Sequence, residues 1–393
     1  MYVINADLHI HSKYSGATSQ NMDIPHIAPQ AAFKGLGLVG TGDCLHPGWL
    51  SHIRKTLDAE MSYEDVTFIL TDEIEDEARV HHLLIFPEYG AVESAFASFK
   101  SHSGDIEKEG RCRINLSGEE IADVCSSHGI LLGASHAFTP WTSVYKEYDS
   151  LAECYGKNES RVDFVELGLS ADTDMADKIS ELREKTFLTN SDAHSPWPHR
   201  LGREFNRLNI KQPTFEEVKM ALRNERGRKV IANIGIDPRL GKYHRTACSR
   251  CYTHFTEEEA EERKWRCTCG GLIKKGVAER VSEIADQDIT HPSHRPPYIK
   301  IPPLSEIISE TQGYSDVCSE KVQSLWRRLV SQCRSEINVL LGAEYEDIEK
   351  ISNEKIASTI KAFREGNYII VEGGGGKYGQ IKIGEKQNTL DRW

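Results

Sequence analysis

The chain is 393 residues long, 39% hydrophobic, and carries a formal net charge of -12 at pH 7. That length accommodates two or three domains, and the hydrophobic content is ordinary for a globular protein. No apolar run approaches the roughly 20 residues that cross a bilayer, and the first residues lack the basic start and long apolar stretch of a secretion signal, so the expected compartment is the cytoplasm. The acidic balance argues against nonspecific coating of nucleic acid by the whole surface, while leaving room for one local basic face.

From the start to about residue 236, short apolar strands alternate with helical segments. Strands are predicted at 2–6, 36–41, 66–71, 80–86, 130–134, 162–167, 186–189 and 230–234. Capping boxes open two of the intervening helices, Ser117 with Glu120 and Thr214 with Glu217. Such alternation implies a parallel sheet, open or closed into a barrel. The first strand ends in Asp7, His9 and His11, two residues apart and therefore on one face. Asp43 and His46 follow the second strand, Glu73 the third, His136 the fifth, and Asp192 and His194 the seventh. Glu166 ends the sixth strand, and His81 and His82 lie within the fourth. A barrel opens all its C-terminal strand ends on one face, where its chemistry belongs, so this series predicts a shared rim of metal ligands. Mixed imidazole and carboxylate donors suit Zn, with Mn or Mg as further candidates. Glu73 and Asp192 are the best candidates for a carboxylate bridging two ions.

Residues 242–280 have a different texture. Cys248-x2-Cys251, fifteen residues, and Cys267-x-Cys269 form a four-cysteine pattern that predicts a closed, structural zinc site. The segment holds nine Lys or Arg against six Glu, interleaved with Tyr252, Phe255 and Trp265, a mixture suited to gripping a phosphate backbone. Lys274 and Lys275 sit between glycines before a predicted helix, where amides can face a phosphate. The other six cysteines read as core thiols. Residues 291–303 are rich in proline and read as a linker or an extended strap. Helical patterns follow at about 319–341 and 347–364, then a hairpin of 368–371 with 380–383, whose Gly373 to Gly376 run fails the P-loop pattern and reads as a mobile loop.

The motifs DLHIHS (7–12), GTGDCLHP (40–47), TDEIED (71–76), HHLLIF (81–86), ASHAF (134–138) and NSDAH (190–194) resemble, in order, those of the PHP (polymerase and histidinol phosphatase) superfamily. The resemblance implies a distorted (β/α)7 barrel with a two- or three-metal phosphoesterase centre. Carried over residue by residue, it implies His9, His11, Glu73, His82, His136, Asp192 and His194 as ligands, with Asp43 or His46 from the second motif. The usual Asp-His there is interrupted by Cys44, so both stay open. Of the adjacent pair, His82 precedes the leucines as the family's ligand does, and strand alternation points His81 the other way. Asp192, Glu73 and His194 are the implied catalytic residues, and Asp7 is the less certain neighbour of the histidines.

Gln387, Leu390 and Trp393 close the chain as Gln-x-x-Leu-x-x-aromatic, which looks like a sliding-clamp binding peptide; one 3₁₀ turn would align Leu390 with Trp393. The whole order resembles the endonuclease Q family: a barrel over 1–236, a DNA-contacting zinc module over 237–290, a helical domain over 291–386 and the tail 387–393. That resemblance implies a repair enzyme that uses metal-activated water to nick DNA 5′ of hypoxanthine, uracil, xanthine or an abasic site, leaving a 3′-hydroxyl and a 5′-phosphate. Its implied partners are damaged duplex DNA and a sliding clamp, with no membrane. Base flipping is then required, and donors facing a carbonyl would separate deaminated bases from adenine and cytosine. Lys13, Tyr14, Glu166, Ser170 and Asn190 near the rim, with Trp265, Lys274 and Lys275 in the zinc module, are the expected DNA-contacting residues. The rival readings are a PHP phosphatase of small phosphomonoesters, a polymerase-associated exonuclease, and a catalytically silent DNA-binding scaffold.

Overall fold

The computed structural model describes residues 1–383 and divides into two compact units, Met1–Gly235 with Ile284–Ile299, and Ile236–Glu283 with the residues from Lys300 onward. Each is α/β or mainly helical in its own right. The tail residues Gln387, Leu390 and Trp393 lie outside the described residues.

In the first unit the chain forms β1 (Tyr2–Asp7), β2 (Leu38–Gly40), β3 (Ser62–Tyr63), β4 (Val66–Ile69), β5 (Thr71–Glu75), β6 (His81–Ile85), β7 (Leu131–Ala134), β8 (Val162–Glu166), β9 (Thr186–Leu188), β10 (Phe205–Ile210) and β11 (Lys229–Gly235). One sheet includes β11-β10-β1-β2-β4-β3 in that order, and the other runs β5-β6-β7-β8-β9. The parallel pairs β1–β2, β2–β4, β7–β8 and β8–β9 fulfil the expected alternation. Three strands of this unit were not anticipated from the pattern: the two-residue β3, antiparallel to β4; β5, which pairs antiparallel with β6; and β10, which lies antiparallel between β1 and β11. Thr71–Glu75 carries four acidic or hydroxyl side chains in five positions, so it offers no apolar alternation to read.

Backbone hydrogen bonds join the two sheets at both sides. Phe86 N–H donates to the Leu70 carbonyl at the β4–β5 corner. Beyond the end of β1, Asp192 N–H donates to His9 O and His11 N–H to Ala193 O. The result is a closed, distorted barrel whose interior is filled from both sheets by Ile4, Leu38, Ile69, Leu83, Leu131, Phe164, Leu188 and Leu208. Each of these burials contributes about 1.5–3 kcal/mol before conformational entropy is charged against it. The proline-rich segment is tied to the first unit by Arg295, which donates to Asp177 and to the carbonyls of Leu182, Arg183 and Lys185, and just before that segment Asp286 accepts from Ser180.

Local details differ from expectation where a tertiary partner competes. Ser117 and Glu120 form their capping box, but Glu217 turns instead to Arg228, at 2.7 Å, and leaves Thr214 without its reciprocal bond. A further box forms at Thr256 and Glu259.

The second unit contains the cysteine module, with the strands β12 (Ala247–Cys248) and β13 (Ile273–Lys274) paired antiparallel. The two long helices expected after it are each broken, into Glu320–Cys333 and Glu336–Leu341 at Arg334 (φ +72°), and into Tyr345–Ile351 and Glu354–Glu365. Buried Glu336 explains the first break, accepting from Trp326 Nε1 at 2.6 Å and from the Leu304 amide at 2.9 Å. Arg364 donates to the carbonyls of Val339, Leu340 and Ala343, closing the end of the Glu336–Leu341 helix. The expected hairpin is present with Tyr368 opposite Ile383. Its glycine run is not a free loop, because Gly373, Gly374 and Gly376 hydrogen-bond with the 239–245 segment and with Lys377. Five of the six isolated cysteines are buried thiols; Cys318 is exposed. Among the described residues, no helix is long and apolar enough to cross a membrane.

Candidate metal centre

The barrel closure that pairs the end of β1 with 192–193 carries His9, His11 and Asp192 into one place, and β5 brings Glu73 to meet them. Ligand atoms of these four residues all lie within 4.8 Å of one another. A second group, Glu73 with His81 and His136, meets the same criterion, so Glu73 belongs to both. His136 Nε2 is 2.9 Å and His81 Nδ1 3.1 Å from Glu73 Oε1, while His9 Nε2 and His11 Nε2 stand 3.4 Å from the carboxylate. Asp43, His136 and Asp192 all have positive φ, a conformation held by surrounding structure and typical of constrained functional sites.

Each histidine of the first motif is oriented from behind. His9 Nδ1 is 2.8 Å from Glu166 Oε2, and His11 Nδ1 is 3.1 Å from Asp43 Oδ1. Those bonds leave the Nε2 atoms facing Glu73 and Asp192, the carboxylate–histidine arrangement that fixes a ligand's tautomer. Glu166, expected to touch substrate, is therefore placed behind His9, fully buried. Asp43 is held in turn by Ser12, through both amide and hydroxyl, and by Ser15.

The adjacent histidines are the reverse of the expectation. Register pairs Glu75 with His81 and Ile74 with His82, so alternation places His81 on the face of Glu73. His82 faces away, between Asp76 at 3.0 Å and the Tyr155 hydroxyl at 2.9 Å. There it belongs to a separate buried group with Asp76 and Cys154, whose ligand atoms also lie within 4.8 Å of one another; its facing is set by β5, the antiparallel partner of β6. His46 also leaves the cluster: it caps the helix Pro47–Thr56 by accepting from the Trp49 amide, and its ring stacks on Tyr14 at 4.2 Å. Asp43 is the residue of the second motif that reaches a cluster histidine. His194 lies at the edge, its Nδ1 3.0 Å from the Asp192 carbonyl and its ring 4.4 Å from that of His11. Asp7 accepts the amides of Ser191 and Gly202 and touches no histidine ligand atom; it ties β1 to the 190–202 segment.

The remaining expected contacts divide. Asn190 is buried, its Oδ1 taken by the Leu8 amide and by Asn206. Tyr14 and Ser170 are half-buried beyond the strand ends, and Lys13 pairs with Asp23 at 3.2 Å. In the second unit Lys274 is exposed, whereas Lys275 is paired with Glu257 and Glu283 and sits 5.7 Å from the ring of half-buried Trp265. Sequence reasoning missed three rim groups: His81 as a member of the cluster, exposed Trp141 and Trp197 on the segments after β7 and β9, and Arg111, 3.6 Å from Glu73 Oε2.

The donors fit a divalent cation. His9 Nε2 and Glu73 Oε2 are buried without a hydrogen-bond partner, an expensive condition unless an ion takes their lone pairs. Burial opposes charge on His9 and His11, yet Glu166, Glu73, Asp192 and Asp43 outweigh it and hold both imidazoles well above their ordinary pKa. Burial likewise opposes ionisation of Glu73 and Asp192, and the facing histidines overcome it and keep both carboxyls below the usual range. Such a cluster binds a cation by releasing the imidazole protons. The four thiols of the second unit are equally suited to zinc. Cys248 and Cys269 are 3.5 Å apart and Cys251 and Cys267 3.6 Å, against about 3.8 Å for the edge of a tetrahedron with 2.3 Å Zn–S bonds.

Comparison with known proteins decides the family. A family described as the MJ0043 C-terminal domain matches residues 303–367. The chain is 49% identical over 282 residues to the uncharacterized protein MJ0043 of Methanocaldococcus jannaschii, across 68% of this chain and 35% of that protein, so it spans about a third of that relative's length. The crystal structure of the lesion-specific endonuclease PfuEndoQ from Pyrococcus furiosus superimposes with a TM-score of 0.95 at 49% identity, covering 99% of this chain and 98% of the other. A structure of Endonuclease Q in complex with a 27-mer duplex substrate bearing an abasic lesion at the active site gives 0.92 at 49% identity, covering 99% and 100%. The chain belongs to the endonuclease Q family. The two groups sharing Glu73 are thus buried metal-site clusters of an endonuclease Q chain, and the resemblance read from the order of the whole chain is borne out along the length of both crystal structures.

Proposed function

We propose that this endonuclease Q chain nicks duplex DNA at abasic sites and at hypoxanthine, uracil or xanthine, hydrolysing the phosphodiester on the 5′ side of the lesion. The observation that carries the reading is the pair of ligand groups joined by Glu73, in a chain aligned end to end with an Endonuclease Q bound to a duplex with an abasic lesion at its active site. His9, His11, Glu73 and Asp192 would hold one divalent ion, and Glu73, His81 and His136 a second. Divalent ions in such a place supply Lewis acidity toward phosphoryl oxygens and make water a competent nucleophile at neutral pH. Glu166 and Asp43 hold the two imidazoles so that only Nε2 is offered, and Asp192, a third exposed, faces the approach of water and substrate. The attacking oxygen bonds to phosphorus, the P–O3′ bond breaks, and the 3′ oxygen leaves as a hydroxyl, with a 5′-phosphate on the other end.

A lesion inside a duplex must be extruded to reach such a recess, and base loss or weakened pairing lowers that cost. Exposed Trp141 and Trp197, on the segments that follow His136 and His194 in the chain, offer stacking faces. Lys274 with the exposed ring of Tyr252 is our choice for backbone contact by the zinc module, and the terminal Gln387, Leu390 and Trp393 for a sliding clamp. The test is a 5′-labelled duplex with one abasic site, deoxyuridine or deoxyinosine, incubated with and without chelator. A discrete chelator-sensitive nick 5′ of the lesion supports the reading; intact duplex together with phosphate release from small monoesters defeats it.

A further inference from the structure

Arg111 lies between the helices Tyr89–Lys100 and Gly118–Ser127, in a segment pinned to the metal centre at three consecutive residues. Gly110 N–H donates to the Tyr14 carbonyl at 3.0 Å, Arg111 N–H to the Ser15 hydroxyl at 3.0 Å, and the Cys112 carbonyl accepts from Glu75 N–H at 3.0 Å. The same Ser15 hydroxyl donates to Asp43, the residue behind His11. Gly110 is the only residue type that fits there, since a Cβ would lie 2.3 Å from Asp43 Oδ2 and 2.5 Å from Ser15 Oγ. The backbone of Arg111 is therefore held at a fixed distance from the ligands.

Its side chain is not consumed by that framework. Nη1 is 3.6 Å from Glu73 Oε2, too far for a hydrogen bond, and the guanidinium makes no hydrogen bond among the described residues. The side chain is 34% exposed. Arg295, by contrast, is buried and spends its donors on Asp177 and three carbonyls, and Arg364 spends its own on three more. The charge of Arg111 also reaches His81 and His194, opposing protonation of each. It thus faces both ligand groups with open donors.

Charge favours an anion at this position. Asp43, Glu73, Glu166 and Asp192 bring four carboxylates together, which two divalent ions would balance, while Glu75, 3.3 Å from His81, has its own cations in Arg79 and Arg113. A guanidinium is then the surplus positive charge available to a phosphodiester. We propose that Arg111 is the phosphate-contacting residue of the centre, donating to a non-bridging oxygen of the scissile phosphate and stabilising the charge that grows there as the P–O3′ bond breaks. This rests on the phosphodiesterase reading above. Arg111 gives up no proton, because the guanidinium stays charged; its contribution is hydrogen bonding and field.

The experiment compares full-length wild type, R111A and R111K in single-turnover nicking of the abasic duplex, with hydrolysis of bis(p-nitrophenyl) phosphate as a second substrate. Metal content, thermal midpoint and the Kd for inorganic phosphate are measured on the same preparations. R111A should nick about 10²- to 10³-fold more slowly. It should also bind inorganic phosphate about tenfold more weakly, at unchanged metal content and thermal midpoint. R111K should recover part of the rate, and millimolar guanidinium should restore R111A saturably. A rate within about threefold of wild type overturns the assignment. So does a loss that parallels lost metal, which would make Arg111 a support for Glu73. Wild type that leaves the duplex intact yet hydrolyses bis(p-nitrophenyl) phosphate in an Arg111-dependent way defeats the DNA reading while sustaining this one. Wild type inactive on both substrates defeats both.

Discussion

Glu166→Gln separates an orienting role from a substrate-binding one. Glu166 Oε2 meets His9 Nδ1 at 2.8 Å and the His136 amide at 3.3 Å, while its Oε1 is buried without a partner. Glutamine keeps the shape and can keep the bond to His9 through its carbonyl oxygen, so the change is chiefly the loss of one negative charge. Through the imidazole, that charge lies about 7 Å from an ion on Nε2; at an effective dielectric near 20 it contributes about 2 kcal/mol per unit of ion charge. The amide dipole replaces part of this, so the expected loss is about 10- to 100-fold in metal affinity, the range found when such partners are altered. Metal-free protein titrated with zinc against a chromophoric competitor reads the affinity of the barrel sites directly, with the four-cysteine site accounted for by thiol titration. Binding of the abasic duplex in chelator should be unchanged. Unaltered zinc affinity with weakened DNA binding would refute the placement of Glu166 behind His9 and return it to the substrate side.

Three further outcomes follow from the same geometry. Asp192→Asn should reduce nicking at least about 10³-fold while leaving duplex binding in place, checked by gel shift beside a single-turnover assay; loss of both would indicate a folding role. His81→Ala and His82→Ala should differ in kind. The first should lose metal and nicking with little change in thermal midpoint. The second should keep the activity of its folded fraction but lose about 1–3 kcal/mol in denaturant unfolding, because Asp76 Oδ2 and the Tyr155 hydroxyl would lose their histidine partner. Gly271→Ala should release zinc from the cysteine module, since the new Cβ would lie 2.5 Å from Cys248 Sγ; metal analysis after gel filtration checks this, and full zinc retention would count against the tetrathiolate geometry.

Much of the centre could be read from strand ends alone. His9, His11, Glu73, His136 and Asp192 follow short apolar strands, and the hydrophobic period fixes where such strands stop. What could not be read was facing that depends on a partner strand. β5 is acidic and half hidden as a loop, so its antiparallel pairing with β6 was invisible, and with it the reason that His81 and not His82 meets Glu73. Competition was equally hidden. Glu217 prefers Arg228 to its own helix, and Glu336 begins a new helix with its carboxylate claimed by Trp326 and Leu304. Arg111 had no motif to announce it; only the fold brings residue 111 to residue 73.

The proposed centre depends on Glu73 being shared by two ions. Anomalous diffraction collected above and below the zinc edge, on crystals of the full-length protein grown with zinc, tests this most directly. Two peaks in the barrel are predicted, one among His9, His11, Glu73 and Asp192 and one among Glu73, His81 and His136, with Glu73 contacting both. A barrel peak between Asp76 and His82 instead, or none beside Glu73, would contradict it.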